Sequence, residues 1–275
     1  SCMAFSLFCL CRVHSHWSPG HVFTGRLSCS KPNVQNVQSP KIDADSLRSM
    51  YAAEEGCVLV SCDLEQVELR LVSLMSGDKL WLRAFQDGLD VHKVNAATYF
   101  DCKYDGVEPY QRNFSKGISY MYLYGGGAKK ALMQMRQVKN PVTKERLYAS
   151  FTLNQATASR NKLLAAHPAL RDWWQRTIDE FRDKHMLRSI ILGRVRKFSD
   201  AVEHEEESRS EIINYKVQST TADFMSGERA CGELVDRIGW RWQGNGLGGA
   251  GIVNQSHDSI LVEVAENKAE EAARM

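Results

Sequence analysis

The stretch from Val58 to Arg70 changes its pattern in the middle, and this change constrains the fold more than any other feature of the chain. It begins with an apolar run rich in β-branched residues, which is typical of a buried strand. Beyond Asp63 the spacing of apolar residues becomes helical, at Leu64, Val67, Leu71 and Leu74. A carboxylate is therefore predicted where a buried strand becomes a helix. An unpaired buried carboxylate is costly, so a cation is its natural partner, although a helix-capping role is the open alternative.

A second stretch, Ile252 to Val264, places two apolar runs around a polar centre. This pattern predicts a β-hairpin with His257 and Asp258 at its tip. Two aspartates on adjacent strands could hold two hard cations, because Mg²⁺ takes one or two protein carboxylates and completes its shell with substrate phosphates. A pair of such ions can activate an attacking oxygen and stabilise a leaving one, which is the chemistry of nucleotidyl transfer.

Six short motifs, arranged in one order along the chain, resemble those of the family A DNA polymerases. Residues 63–70 resemble the first palm motif, and residues 257–259 resemble the third motif in its phage-type form. Between them, residues 112–125 resemble the fingers helix. The set is completed by residues 24–28 with 33–36, by residues 90–92, and by Asn214 with Gln218. The resemblance implies an α+β fold, a right-hand polymerase palm of antiparallel sheet and helices with inserted helical fingers.

The resemblance also implies four segments. Residues 1–20 are an unassigned remnant of a preceding region, residues 21–75 are the first part of the palm, residues 76–205 are the fingers, and residues 206–275 are the second part of the palm with a truncated carboxyl end. The chain begins too late to include a thumb or a proofreading exonuclease. We therefore expect a palm-and-fingers fragment.

Each matching residue receives a role from the resemblance. Asp63 and Asp258, together with Leu64, would bind two Mg²⁺ ions, and Lys116 would join the two aspartates in catalysis. Arg112, Lys116 and His92 would neutralise the triphosphate. The complete set of dNTP-binding residues would be Gln66, Glu68, His92, Arg112, Lys116, Tyr120 and Tyr124. The DNA-binding set would be Arg26, Asn33, Gln35, Asn36, Asn214, Gln218 and His257, where Asn33, Gln35 and Asn36 have loop-fixing amides as the open alternative.

The fingers motif has a helical repeat of its own. Arg112, Lys116, Tyr120 and Tyr124 recur every fourth residue, and each step rises about 6 Å along a helix. The two cations and the first ring then form a slanted stripe roughly 12 Å long, about the reach of a nucleoside triphosphate. An amphipathic helix with snorkelling cations is the alternative.

Further helices, strands and turns are predicted from the periodicity of apolar residues and from the positions of proline, glycine and capping residues. Pro109 suits the first turn of the fingers helix, Gly125 to Gly127 end it and allow a hinge, and Asp90 is the expected cap of the helix before it. We also predict a strand at 12–18, helices at 42–51, 80–85, 91–100 and 211–229, helical fingers over 128–185 broken at Pro141 and Pro168, a hairpin at 189–196 and a flexible turn at 244–251. The acidic run His204 to Glu207 is interpreted as a solvated surface and not as a metal cluster.

Composition limits the class of protein. Lysine plus arginine is 35 and aspartate plus glutamate is 33, for a net charge of +2, so nucleic-acid binding would need a local basic lining. The eight cysteines lack metal-type spacing and indicate free cytosolic thiols. We expect a cytoplasmic template-directed DNA polymerase with primer-template DNA, dNTPs and replication accessory proteins as partners, and no membrane. A single-subunit RNA polymerase relative and a non-catalytic DNA-binding fragment are the alternatives.

Overall fold

The structure is a computed structural model that describes residues 12–37, 47–139, 143, 145–198, 204–226 and 251–274. The chain divides into two compact units, Ser1–Glu65 with Thr221–Met275, and Gln66–Thr220. The predictions for residues 1–11, 42–46, 227–229 and 244–250 and for Pro141 lie outside the described residues. The palm and fingers boundaries at 75/76 and 205/206 stay a prediction, because compact packing does not define functional subdomains.

Seven strands and nine α-helices form the described part of the chain. The strands are β1 (His16–Ser18), β2 (Ser28–Ser30), β3 (Cys57–Asp63), β4 (Met186–Arg188), β5 (Val195–Lys197), β6 (Gly251–Ser256) and β7 (Ser259–Ala265). The helices are α1 (Val67–Ser76), α2 (Lys79–Gln86), α3 (Val91–Phe100), α4 (Pro109–Leu123), α5 (Ala128–Met135), α6 (Leu153–Ala166), α7 (Pro168–Lys184), α8 (Glu205–Ser226) and α9 (Ala269–Ala273). The predicted α+β class is confirmed.

The first unit contains an antiparallel sheet in the order β3-β7-β6. The β6–β7 hairpin with His257 and Asp258 at its tip is confirmed. One face of the sheet packs on Met225 of α8, and the core there is completed by Ile260, Val262 and Val264. The predicted strand over residues 12–18 is confirmed in part as β1, which pairs with β2.

Two predictions about the opening stretch are wrong. β3 is not a buried strand, because it lies at the edge of its sheet, and Ser61 to Asp63 are exposed. The following helix starts only at Val67, after Gln66 adopts a left-handed conformation with φ of 53°. Its buried face carries Leu69 and Val72, whereas Leu74 is 68% exposed. The apolar spacing that was counted from Leu64 therefore selected the wrong face, because packing against α2 and α7 sets the rotation of α1.

The second unit is a helical assembly around one apolar core. Its largest fully buried side chains include Trp81, Tyr122, Phe181 and Leu170, and Trp173 and Trp174 pack in the same core. No helix in the described ranges is both long and apolar enough to cross a membrane.

Most predicted helices of this unit are confirmed, with shifted ends. α2 and α3 lie where expected, Asp90 caps α3, and proline opens both α4 and α7. α8 begins six residues before the predicted start because its first turn is formed by Glu205 to Glu207, where acidic side chains favour a helix N-terminus. Within that acidic run, Glu205 binds Arg182 at 2.7 Å. The predicted hairpin at 189–196 is confirmed with shifted ends, because its first strand, β4, lies before residue 189 and only the loop and the start of β5 fall inside the predicted range.

Candidate functional site: a carboxylate pair and a cationic helix

Backbone pairing brings the two aspartate motifs together in the first unit. Asp63 is the last residue of β3 and pairs with Ser259, the first residue of β7. The next backbone N–H, that of Leu64, donates to the carbonyl oxygen of Asp258 at 2.9 Å. His257 supports the tight turn with a positive φ of 56°. The prediction that both motifs lie on adjacent strands is therefore confirmed.

The chemistry of this carboxylate pair fits a hard divalent cation. Asp63 is exposed and Asp258 is half-buried, and carboxylate oxygens are ligands that Mg²⁺ prefers. Within the described ranges, no group of three or more His, Cys, Asp and Glu side chains could hold a metal ion. Mg²⁺ usually binds one or two protein carboxylates and keeps water and substrate phosphate in its shell, so two aspartates suit it. The neighbouring Glu65 is exposed.

Two amides of the polar loop at residues 33–36 make hydrogen bonds within the first unit, and their predicted DNA contact stays a prediction. Asn33 caps a short 3₁₀ helix, Val34–Asn36, by accepting from the Gln35 N–H at 3.1 Å. The Gln35 side chain donates to the carbonyl oxygens of Leu27 at 3.1 Å and Gln255 at 2.9 Å. Asn33 thus stabilises the loop itself, and Gln35 ties it to β6.

In the second unit, α4 carries the predicted cationic stripe. Arg112, Lys116 and Tyr120 lie four residues apart on this helix and are therefore neighbours on one face. Lys116 is exposed, and the Tyr120 ring lies 5.8 Å from that of His92. Tyr124 does not continue the helical stripe, because it is the cap residue at the C-terminus of α4.

Asp90 has a role that the sequence did not predict. Besides capping α3, its carboxylate accepts a hydrogen bond from the Arg112 guanidinium. Burial alone would raise the pKa of Asp90, but Arg112 and the N–H groups of Lys93 and His92 outweigh it and hold the pKa below its usual value. No local pattern could have revealed this pair, since its members lie 22 positions apart.

His92 differs from its predicted role in charge neutralisation. It is 2% exposed, and its Nδ1 has no hydrogen-bond partner among the residues that the structure describes. Burial, reinforced by the Arg112 and Lys116 cations and opposed by Asp90, lowers the pKa of His92 to about 4. The imidazole is therefore neutral in the free protein and offers an N–H donor in place of a charge.

Glu68 and Tyr124 are joined by a side-chain hydrogen bond, in which the tyrosine hydroxyl donates to the carboxylate. Glu68 lies in the first turn of α1, and Tyr124 lies at the end of α4. The two predicted dNTP-binding residues thus fix each other.

α4 ends in a glycine motif. Gly125 has a φ of +74°, its N–H donates to Tyr122 O at 3.0 Å, and the Gly126 N–H donates to Met121 O at 3.0 Å. These two hydrogen bonds give the last carbonyl groups of the helix their partners. A Cβ on Gly126 would lie only 2.4 Å from Met121 O. The predicted end of the helix is confirmed, and the predicted hinge stays a prediction.

The structure gives positions for the remaining predicted residues, and their roles stay predictions. Asn214 and Gln218 lie one turn apart on α8, and the buried Oδ1 of Asn214 has no hydrogen-bond partner within the described residues. Gln66 is half-buried before α1, and His257 is exposed at the hairpin tip. Arg26 is half-buried, and Asn36 is exposed.

Known proteins that resemble this chain are DNA polymerases. A family model described as DNA polymerase family A matches residues 9–275. The chain is 30% identical over 268 residues to the thermostable DNA polymerase I of Thermus thermophilus, covering 96% of this chain and 29% of that protein. It is 29% identical over 261 residues to DNA polymerase I of Aquifex aeolicus, covering 94% and 40% respectively. The chain thus spans well under half the length of these two relatives.

A solved structure shows the same fold. The POL domain of Pol1 from M. smegmatis, in complex with DNA primer-template and dNTP, superposes with a TM-score of 0.82. The match covers 99% of this chain and 45% of that one, at 23% identity. The predicted palm-and-fingers architecture is consistent with a polymerase-domain fold.

Proposed function

Because the chain belongs to DNA polymerase family A, we propose that it is part of an enzyme that adds dNTPs to a primer 3′ hydroxyl in the order set by a DNA template, in DNA replication. The juxtaposition of Asp63 and Asp258 at the end of one sheet, inside a family match of nearly the whole chain, carries the proposal. Primer-template DNA and dNTPs are its substrates, and replication accessory proteins are further partners. Its relatives are bacterial, so its place is the cytoplasm of a bacterial or infected cell.

Asp63 and Asp258, with Leu64, hold the two Mg²⁺ ions. The hydrogen bond from Leu64 N–H to the Asp258 carbonyl keeps the two carboxylate-bearing backbones in register without using either carboxylate. The bound ions supply activation of the 3′ hydroxyl and charge stabilisation of the departing pyrophosphate.

The face of α4 binds the triphosphate. Lys116 is exposed and contributes a mobile charge, whereas Arg112 contributes a planar guanidinium that Asp90 already orients. The neutral His92 donates a hydrogen bond, and its pKa rises when phosphate charge comes close. Tyr120 stacks on the incoming sugar and base, and Lys116 also assists the chemical step.

The Glu68–Tyr124 pair selects deoxyribose over ribose in the incoming nucleotide. A glutamate held in place by a tyrosine hydroxyl occupies the space that a ribose 2′ hydroxyl would need. The 2′ hydroxyl is the group that separates RNA precursors from DNA precursors. This contact favours a DNA polymerase over the RNA polymerase alternative, with Gln66 beside Glu68 in the same site.

Each unit carries predicted DNA-binding residues. Asn214, Gln218 and Arg26 follow the minor-groove edge, where acceptors are placed alike in all correct pairs. His257 contacts the primer end, and Asn36 contacts the nearby strand. Asn33 and Gln35 act indirectly, by holding the loop that carries Asn36.

Extension of a labelled primer in Mg²⁺ tests the proposal. Asp63→Asn and Asp258→Asn keep the side-chain shape but remove the charge, so each should lower the extension rate by at least roughly a hundredfold, or about 2.7 kcal/mol. Glu65→Gln, which removes an exposed neighbouring charge, is the matched control and should remain within about threefold. DNA affinity should be largely kept in all three variants.

Two outcomes would overturn parts of this proposal. Extension within tenfold of the parent in either aspartate variant would remove the two-metal assignment. A parent chain that binds primer-template but extends nothing would instead support the non-catalytic alternative.

A further inference from the structure

A network of buried polar side chains runs through the second unit, beside the residues predicted to bind the triphosphate. Its members are Asp78, Trp81, Asn95, Ser119 and His167, and none of the five is more than 2% exposed. They come from α2, α3 and α4 and from the cap residues before α2 and α7. Burial of polar groups is costly, and the cost is recovered only where they bond to one another.

The first part of this buried network fixes Trp81. The Oδ1 atom of Asp78 accepts the backbone N–H of Trp81 at 2.9 Å and lies 3.0 Å from Nδ1 of His167. The His167 ring stacks on the Trp81 indole, with 4.0 Å between ring centroids. The indole N–H then donates to Oδ1 of Asn95 at 2.8 Å. The Asn95 amide is therefore held from the side of α2.

The donor at Trp81 also decides which way the Asn95 amide faces. An indole N–H can only donate, so its partner must be the amide oxygen, and the amide nitrogen is left to face α4. There Nδ2 of Asn95 donates to Oγ of Ser119 at 3.2 Å, and the same Oγ lies 3.0 Å from the Tyr99 hydroxyl. A serine hydroxyl can accept two hydrogen bonds and donate one. One oxygen atom on α4 thus serves two side chains of α3.

These bonds join α3 to α4 close to the predicted triphosphate residues. Asn95 lies one turn after His92 on α3, and Ser119 directly precedes Tyr120 and lies one turn after Lys116 on α4. The rings of His92 and Tyr120 are 5.8 Å apart. Hydrogen bonds depend on direction, and a fully bonded buried network makes its surroundings rigid. The relative rotation of the two helices is therefore fixed where their predicted nucleotide-binding faces meet.

We propose that Asn95 and Ser119 are positioning residues for the incoming nucleotide, because they join α3 to α4 and so hold His92 in place relative to Lys116 and Tyr120. The inference rests on the proposed function for the identity of the ligand. Asn95 is 0% and Ser119 is 1% exposed, so both act through these three residues. A displacement of about 1 Å is enough to cost a large factor in binding or rate.

A purely structural role for Ser119 would give a different result, and Ser73 provides the comparison. Ser73 is 0% exposed on α1, and its hydroxyl donates to Leu69 O at 2.6 Å within the same helix. Ser73→Ala and Ser119→Ala therefore remove the same atom from equally buried positions. Only Ser119→Ala removes a connection between two helices.

Equilibrium dialysis of radiolabelled dATP with Mg²⁺, together with primer-extension kinetics, tests the proposal. Ser119→Ala should raise both the Kd and the KM for dATP by roughly tenfold, since displaced donors lose part of their bonds to a charged phosphate. Its Kd for primer-template should stay within about twofold of the parent. Ser73→Ala should leave both constants for dATP within about twofold of the parent, although it lowers stability in urea.

Tyr99→Phe is a milder variant of the same connection. It keeps the ring, whose centroid lies 6.3 Å from that of Phe114, but removes one of the two α3 partners of Ser119. The Kd for dATP should rise by roughly threefold. The matched control is Tyr122→Phe, because the Tyr122 hydroxyl is also buried but bonds Ala156 O on α6. This control should stay within about twofold of the parent.

The outcomes separate the positioning role from the proposed function. Equal dATP affinities for Ser119→Ala and Ser73→Ala would overturn the positioning role, as would a parent chain that binds no dATP. If only Ser119→Ala weakens dATP binding but the parent fails to extend a primer, the positioning role stands and the proposed function falls. If the parent extends a primer and Ser119→Ala leaves its KM for dATP unchanged, the positioning role alone falls. Should Ser119→Ala fail to fold, the comparison of Tyr99→Phe with Tyr122→Phe decides in the same way.

Discussion

The predicted site residues of the two units are held in place in different ways. In the first unit, Asp63 and Asp258 are placed by the hydrogen bonds of a β-sheet and its turn. In the second unit, Arg112, His92 and Glu68 are placed by side chains, namely Asp90, the Tyr120 ring and the Tyr124 hydroxyl.

This difference has consequences for substitution. A position fixed by backbone bonds tolerates changes in its neighbours, because every residue type supplies the same N–H and C=O groups. A position fixed by side chains depends on particular partners, and buried polar partners are costly when half of a pair is lost. Substitutions in the second unit should therefore alter selectivity and stability one contact at a time.

The largest expected effect is a dependence of folding stability on pH, and His92 is its source. Its pKa is lowered from 6.5 to about 4 in the folded chain, so the unfolded chain takes up a proton between these pH values and the folded chain does not. Stability should fall as pH decreases from about 6.5 to 4, by at most about 4 kcal/mol at about 1.4 kcal/mol per pKa unit. Urea unfolding across this range measures the effect.

The control for this prediction is His204→Asn, which replaces an exposed histidine at the start of α8. His92→Asn should flatten the decrease of stability with falling pH, whereas His204→Asn should keep the slope of the parent. Parallel curves for all three proteins would mean that His92 titrates normally.

Gly126→Ala should destabilise the chain by about 1–3 kcal/mol, because a Cβ 2.4 Å from Met121 O forces the end of α4 to shift. Gly127→Ala is the matched control. Gly127 has an ordinary φ of −79° with nothing within 4 Å of its Cβ position, and its effect should stay within about 0.5 kcal/mol. Chemical denaturation distinguishes them, and equal stabilities would show that the turn can relax at no cost.

Tyr120→Phe should make the enzyme discriminate against dideoxynucleotides by roughly tenfold or more. The tyrosine hydroxyl can replace the missing 3′ hydroxyl in a bond to a charged group, worth about 1.5–3 kcal/mol. Competition between deoxy- and dideoxynucleotides measures the ratio. Tyr122→Phe removes a hydroxyl from the same helix, but that hydroxyl bonds Ala156 O in the core at 2.6 Å, so it should lower stability and leave the ratio unchanged. Equal ratios for Tyr120→Phe and the parent would mean that Tyr120 does not contact the sugar.

Glu68→Ala should raise ribonucleotide incorporation relative to deoxynucleotide incorporation several-fold, which we express as roughly 1 kcal/mol of lost discrimination. Tyr124→Phe should change the ratio in the same direction by less, since it releases Glu68 without removing it. The double variant should resemble Glu68→Ala alone, because the two residues act through one contact. Additive effects of the two substitutions would show that Glu68 and Tyr124 do not select the sugar through one shared contact.

The sequence by itself determined the elements whose signals are local. Pro109, Asp90 and Gly125 mark helix ends through φ restriction, side-chain capping and left-handed geometry. The alternation around His257-Asp258 sufficed for the hairpin, and the four-residue repeat placed Arg112, Lys116 and Tyr120 on one face.

Only the tertiary structure decided which faces are buried and which distant residues pair. The apolar count from Leu64 failed because α1 starts at Val67 and because α2 and α7 set its rotation. Asp90 with Arg112, Glu68 with Tyr124 and the neutral state of His92 could not be derived from spacing. Periodicity reports the conformation of a segment, whereas charge state and pairing depend on the other segments that exclude water from it.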